Sequence, residues 1–394
     1  MTQATHTAHP LLTALLALLL SAACSESVSD VPASGVQPVP MAFSARIADI
    51  TTRAAGGGEL TDALLKAQGF GVYCWYTGSD AFTTPLPTTA RTGSTQPYEL
   101  LMRNQQVVWD AVLPQPQWVY SPTKYWPQDP NEKLTFRAYA PYASYLVTDA
   151  STGMPQLPVV VAADDYHNNT QHDPLWGTGV TDAADTRYGE HYTDMTYTTS
   201  SHRTTPGLTA DDTADGYIHW YFHHGMAKIV FRGLLDAESN DESVTITSIS
   251  LTPLYNQGLL DLSSPTASAT DKPTWDERSG SMEVTLLGTD LADATIRRID
   301  KGGWTQLTTD DRGLLIIPRD FSGTNTPLTL TVTFTTPDGR EVVMATDITE
   351  HLRGNTVYTF SMTVSNALSV AIQSVNAAFT PWAEQTDDHE LYNW

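Results

Sequence analysis

The sequence predicts an all-β protein built from β-sandwich domains, with one short helix. Three observations carry that class. Thr is abundant, Tyr and Trp are frequent and Lys is scarce, a composition that suits strands better than helices. Stretch after stretch alternates apolar and polar residues at period two. Short Gly-, Pro- and Asp-containing turns separate those stretches, which is the spacing of sandwich strands.

In chain order, Leu11 to Leu20 is an almost unbroken apolar run, LLTALLALLL, followed by Ser21-Ala22-Ala23 and Cys24. About ten apolar residues are too few to span a bilayer but fit a signal h-region. Residues 1–23 therefore read as a lipoprotein signal peptide and Cys24 as the lipidation site. Residues 25–40, SESVSDVPASGVQPVP, have tether composition; the tether is placed at 24–38. From Val39, apolar residues fall at period two (Met41, Phe43, Ala45, Ile47), with Ser44 and Arg46 between them, so Val39–Ile50 is one half-buried strand. It runs out at Thr51-Thr52-Arg53-Ala54, and Ala55-Gly56-Gly57-Gly58 makes a protease-accessible joint.

Glu59 to Gln68 is the predicted helix, with Leu60 and Leu64 on one face and Gly69 placed to end it. Strands are expected at Phe70–Tyr76, at Gln106–Asp110 with Gln117–Tyr120 as a hairpin, and at Lys133–Ala140. Residues 162–215 are polar and too long for an ordinary connection, so they read as surface loops with one short strand. Tyr217 to Phe231, YIHWYFHHGMAKIVF, is the longest strand signal, and the second domain is expected to start at residue 214, giving domains 39–213 and 214–394. Ser243–Leu251 flips its apolar phase between Ile246 and Ile249, the mark of a bulge. Met282–Leu287, Leu314–Pro318 and Leu328–Phe334 follow. Pro337-Asp338-Gly339 turns the chain into Glu341–Met344. Thr356–Val364 and Leu368–Phe379 are the last strands, before an acidic tail.

Of the 394 residues, 44 are acidic and 21 basic, a formal charge of −23, and none of the charged residues lies in 1–24. This excludes a nucleic-acid partner, which needs clustered Lys and Arg, and suits an exposed surface protein. With Cys24 lipidated, Cys74 has no intrachain disulfide partner; it alternates with Phe70, Val72 and Tyr76 and reads as a small buried hydrophobe.

Three groups of residues invite chemistry. His219 and His223 share a strand face while His224 points away, so the three cannot converge on a metal without help from loops. Asp164, Asp165, His167, His172 and Asp173 cluster in a polar stretch that lacks the ligand spacing of a calcium loop. Trp109, Trp118, Trp126, Trp176 and Trp220 could stack sugars, although aromatics in sandwiches are mostly core. No nucleophile elbow, phosphate loop or Cys/His pair is present. The sequence thus assigns no catalytic residue, no metal site and no cofactor.

The order TTRA, QQVVW, W-x-Y, KYWP, LTFRAYAPY, IHWYFHHGMAKIVF and PWAE resembles the fimbrillins of Bacteroidales, the shaft, tip and anchor subunits of protease-assembled pili, from about residue 11 to 384. The resemblance implies two tandem transthyretin-like β-sandwich domains and export as an outer-membrane lipoprotein. It implies an arginine-specific protease that cuts between Arg53 and Ala54 and removes the strand 39–53, whose Met41, Phe43 and Ile47 would vacate a groove. A strand of another subunit would fill it, donated from the C-terminal region Leu368–Trp382 or beyond. The expected partners are other pilus subunits, the outer membrane through the lipid, the protease, and host or bacterial surface glycans or proteins. The alternatives are a monomeric cell-surface glycan-binding lipoprotein that is never cut, and a β-sandwich glycosidase, which lacks a credible carboxylate pair.

Overall fold

The structure is a computed structural model that describes residues 38–47, 61–179, 192–196, 217–237, 239, 241–263, 273–309, 312–323, 326–364 and, for the backbone alone, 375–381. In chain order the strands begin β1 (Ala42–Ile47), β2 (Phe70–Gly78), β3 (Glu99–Asp110), β4 (Gln117–Val119), β5 (Lys133–Ala140), β6 (Val147–Thr148), β7 (Pro155–Val160), β8 (Leu175–Thr178), β9 (Met195–Thr196) and β10 (Tyr217–His224). They continue as β11 (Ala227–Leu235), β12 (Ser243–Leu254), β13 (Gln257–Asp261), β14 (Trp275–Ser279), β15 (Met282–Leu287), β16 (Thr295–Arg297), β17 (Thr305–Gln306) and β18 (Leu314–Ile316). The remaining strands are β19 (Arg319–Asp320), β20 (Leu328–Thr335), β21 (Glu341–Ile348), β22 (His351–Leu352), β23 (Thr356–Val364) and β24 (Val375–Pro381).

The class is all-β, as expected. The helix α1 spans Asp62–Gln68, with the Thr61 hydroxyl accepting from the Leu64 N–H at its start and Gly69, at φ +71°, ending it. The expectation of a single helix is corrected by α2, Asp165–Asn168, one turn inside the polar stretch read as loops. That stretch also carries β8 and β9 among the described residues.

An eight-stranded sheet runs β1-β10-β8-β5-β2-β3-β4, with β9 on β5. All its long strands point one face at a single core, which includes Phe43, Phe70, Cys74, Phe136, Trp220 and Phe222. Its ends approach each other: Pro40 bridges Tyr125, the Met41 N–H donates to the Lys124 carbonyl at 2.8 Å, and the Trp126 N–H donates to the Val39 carbonyl at 2.9 Å. Two five-stranded sheets, β17-β11-β23-β24 with β18 and β15-β12-β20-β21 with β16, sandwich a second core around Phe231, Ile249, Leu330, Tyr358 and Phe360. A four-stranded sheet, β14-β13-β7-β6, mixes strands from the two halves and carries a third core with Leu157, Leu260 and Trp275.

Two expectations about strands resolve locally. The bulge in β12 appears as a register shift between Ile246 and Ser248 against β20. The stretch Tyr217–Phe231, expected as one strand, is two: β10 belongs to the first sheet and β11 to the second sandwich. The break is at Gly225, whose N–H donates to the Pro174 carbonyl at 2.7 Å. A Cβ there would stand 2.5 Å from that carbonyl oxygen, so only glycine allows the approach. Sheet membership therefore changes between His224 and Ala227, downstream of residue 214.

Candidate functional site

The candidate site is the slot occupied by β1. Its period-two pattern becomes burial: Met41, Phe43 and Ile47 are 2%, 1% and 3% exposed. Phe43 packs among the rings of Tyr120 (5.3 Å between centroids), Phe70 (6.3 Å) and Phe136 (6.4 Å). On the other face Arg46 lies 4.7 Å over the Tyr221 ring, and the Ser44 hydroxyl meets His219 Nδ1.

The strand is held by one long ladder. It runs parallel to β10, with Phe43 opposite Ile218, Ala45 opposite Trp220 and Ile47 opposite Phe222. Its other edge is clipped at the two ends. The Tyr120 hydroxyl donates to the Met41 carbonyl at 2.9 Å, beside the Lys124 and Trp126 backbone bonds. At the far end the Ile47 N–H donates to Asp62 Oδ1 at 3.1 Å. Burial pushes the Tyr120 hydroxyl up to about 12, against the backbone hydrogen bond at Lys124, so it stays a neutral donor at physiological pH.

β1 is an edge strand of its sheet, and the β10 ladder is its one long pairing. Withdrawing it breaks that ladder and the two clips and requires no other strand to be unthreaded. The cost is set by its side chains: three buried apolar groups at roughly 1.5–3 kcal/mol each give about 5–9 kcal/mol. The vacated edge of β10 and the empty side-chain sites would then be open to a replacement strand. Ile47 and Asp62 close the gap on either side of Arg53 and Ala54, which lie outside the described residues, as does Cys24. The C-terminal strand β24 pairs antiparallel with β23 at the edge of its own sheet, from Met362 opposite Val375 to Thr356 opposite Pro381.

The other groups singled out in the sequence are dispersed. His223 Nε2 meets the Thr178 hydroxyl at 2.9 Å, and His224 Nδ1 pairs with the buried Asp173 carboxylate. His167 Nδ1 pairs with Asp290 at 2.8 Å, the Asp165 carboxylate accepts from the Ala162 N–H and the Thr170 hydroxyl, and His172 is exposed. Among the described residues no three His, Cys, Asp or Glu side chains are placed to hold a metal ion. Trp118, Trp126, Trp176 and Trp220 are all buried, so they offer no stacking surface; Trp109 is half-buried under Lys66, 4.5 Å over its ring. Cys74 is fully buried and its thiol is pushed well up by burial, which makes it inert. The sequence reading missed Tyr120, Lys124 and Asp62 as clips, because nothing in their local pattern shows which distant strand they meet. Among the described residues no helix is long and apolar enough to cross a membrane.

Comparison with known proteins gives one family. A family model described as fimbrillin-like matches residues 52–382. No curated protein matches the chain. Among solved structures, a candidate cell-adhesion protein from Bacteroides uniformis is 14% identical, with 89% of this chain and 99% of that chain covered at a TM-score of 0.44. The tip fimbrial protein Mfa3 from Porphyromonas gingivalis is 11% identical, with 87% and 99% covered at 0.37. The fimbrial anchor protein Mfa2 from the same organism is 10% identical, with 82% and 91% covered at 0.25.

Proposed function

Since the chain belongs to the fimbrillin-like family, we propose that it is a structural subunit of a bacterial surface pilus that acts by assembly and not by catalysis. In this reading it is exported as an outer-membrane lipoprotein through Cys24 and cut after Arg53 by an arginine-specific protease. It then polymerises by strand exchange and takes part in adhesion. Removal of Val39–Arg53 empties the sites of Met41, Phe43 and Ile47, and a strand from the Leu368–Trp382 region of another subunit enters beside β10.

The observation that carries the reading is the placement of β1: first in the chain among the described strands, at a sheet edge, yet inserted into the core through Met41, Phe43 and Ile47. Such a strand completes the fold and can still leave it. The partners follow: other pilus subunits, the protease and, before cutting, the membrane that holds the lipid.

Limited trypsin digestion of the purified mature protein tests this. The expected result is one early cut giving an N-terminus at Ala54, followed by polymerisation or by uptake of an added peptide covering 368–382. Resistance at Arg53, or a cut that leaves an inert monomer, would overturn it in favour of an uncut surface lipoprotein.

A further inference from the structure

On the face of the first sheet that points away from its core lies an open cleft of about 620 Å³. Its walls are tyrosines: Tyr73 from β2, Tyr98 just before β3, and Tyr142 and Tyr145 from the segment after β5. Arg103 and Asn104 of β3 also line it. The volume lies in the range of small-molecule sites.

The walls are fixed before any ligand arrives. Tyr73 stacks on Trp75 at 5.8 Å and 19°, and Tyr98 stacks on Phe82 at 5.8 Å and 21°. Asn104 sits at φ +49°, and its amide nitrogen donates to the Ala143 carbonyl at 2.8 Å while its oxygen accepts from the Tyr139 hydroxyl at 2.7 Å. Those bonds pin the Tyr142–Tyr145 segment to β3. Tyr145 is nonetheless 68% exposed, a large ring with a free face.

The charge is the second observation. The chain has more than two acidic residues for every basic one, yet no Asp or Glu is among the residues that line the cleft. Arg103 is exposed and makes no ion pair among the described residues. The nearest acidic residues in sequence are otherwise disposed: Glu99 pairs opposite Tyr76 on β2, and the Asp149 carboxylate is taken by Ser151 and Thr152.

We propose that this cleft binds a saccharide bearing a carboxylate, a sialic or uronic acid unit. The electron-rich faces of the tyrosines take the polarised C–H faces of the sugar rings, and the Arg103 fork takes the carboxylate. A peptide cannot add as a strand to β2, which floors the cleft and is paired on both sides, with β3 and β5. The proposal does not rest on polymerisation and holds for the uncut chain.

The test is calorimetric titration of the purified mature chain with sialyllactose and with a glucuronic-acid oligosaccharide, using lactose and an acidic hexapeptide as controls. At least one acidic sugar is expected to bind, with lactose about tenfold weaker or worse. Arg103→Gln is expected to weaken the acidic sugar about tenfold, and Tyr145→Ala to weaken it to a similar extent; both changes are at exposed positions and leave the melting temperature unchanged. The proposal is overturned if neither acidic sugar binds, if Arg103→Gln leaves the affinity unaltered, or if the hexapeptide binds in preference.

Discussion

Phe43 and Arg137 are both buried, and they contribute in opposite directions. Phe43 fills an aromatic cluster, and its truncation to Ala would cost about 3–5 kcal/mol. Arg137 is 0% exposed on the opposite face of β5 from Phe136, with Nη1 donating to the Phe136 carbonyl at 2.7 Å. Among the described residues its Nε and Nη2 have no hydrogen-bond partner. Burial lowers its pKa to about 9, with Asp261 and Asp194 opposing, so at pH 7 it is a charged group at a desolvated site. Arg137→Met is therefore expected to hold or raise stability at pH 7, by up to about 1–4 kcal/mol. The sign of the pH dependence follows from the lowered pKa. Between about 9 and the ordinary Arg value the unfolded chain holds the proton that the folded one has released, so wild-type stability gains on the variant as pH rises through that window. Urea denaturation at pH 7 and pH 10 checks it, and a large loss at pH 7 would show that the cation stabilises the fold. The alternation of Thr135, Arg137 and Tyr139 was legible in the sequence as one face of β5. That this face is also covered was not, because the cover, Phe82, comes from a distant loop whose ring lies 5.3 Å from the guanidinium.

At the scale of elements, β1 is the piece whose removal the proposed assembly requires. A chain starting at Ala54 would lack it and present the β10 edge with three empty apolar sites. Such a chain is expected to melt at lower temperature or self-associate, and to recover when a synthetic peptide spanning 38–50 is added. The same peptide carrying Phe43→Asp should bind more than about a hundredfold more weakly, since a charge would enter an apolar site. Thermal melts and titration of both peptides read this out; equal binding would sink the idea that side-chain sites, rather than backbone pairing alone, select the strand. The strand, the α1 stop at Gly69 and the hairpin at Gly339, which has φ +83°, were all readable because each depends on local pattern and local backbone. The break at Gly225 was not. The apolar run continues through it, and the reason for the turn is the Pro174 carbonyl, fifty-one residues earlier in the sequence.

For the whole molecule, the net charge of −23 sets how copies meet. Subunits that repel at long range should associate slowly at low ionic strength and faster as salt screens them, with the Debye length falling from roughly 30 Å at 0.01 M to 8 Å at 0.15 M. Light scattering of cut protein at those two salt concentrations is expected to rise faster at the higher one. A rate that falls with salt would mean that the contact surfaces are complementary in charge, as an Arg-bearing groove and an acidic strand would be.

The sequence by itself determined the class and most of the strands, since period-two patterning and turn residues are local properties. It also determined which side chains of β1 face inward, since that follows from alternation alone. Only the tertiary structure decided that β1 pairs in parallel with β10, that the first sheet brings Val39–Met41 to Lys124–Trp126, that β7 and β13 share a sheet, and that four tyrosines and Arg103 meet in one cleft. Pairing partner and direction depend on which strand ends come together across more than eighty residues. No local pattern encodes that, because any strand with the right alternation satisfies the same backbone geometry until the whole core is packed.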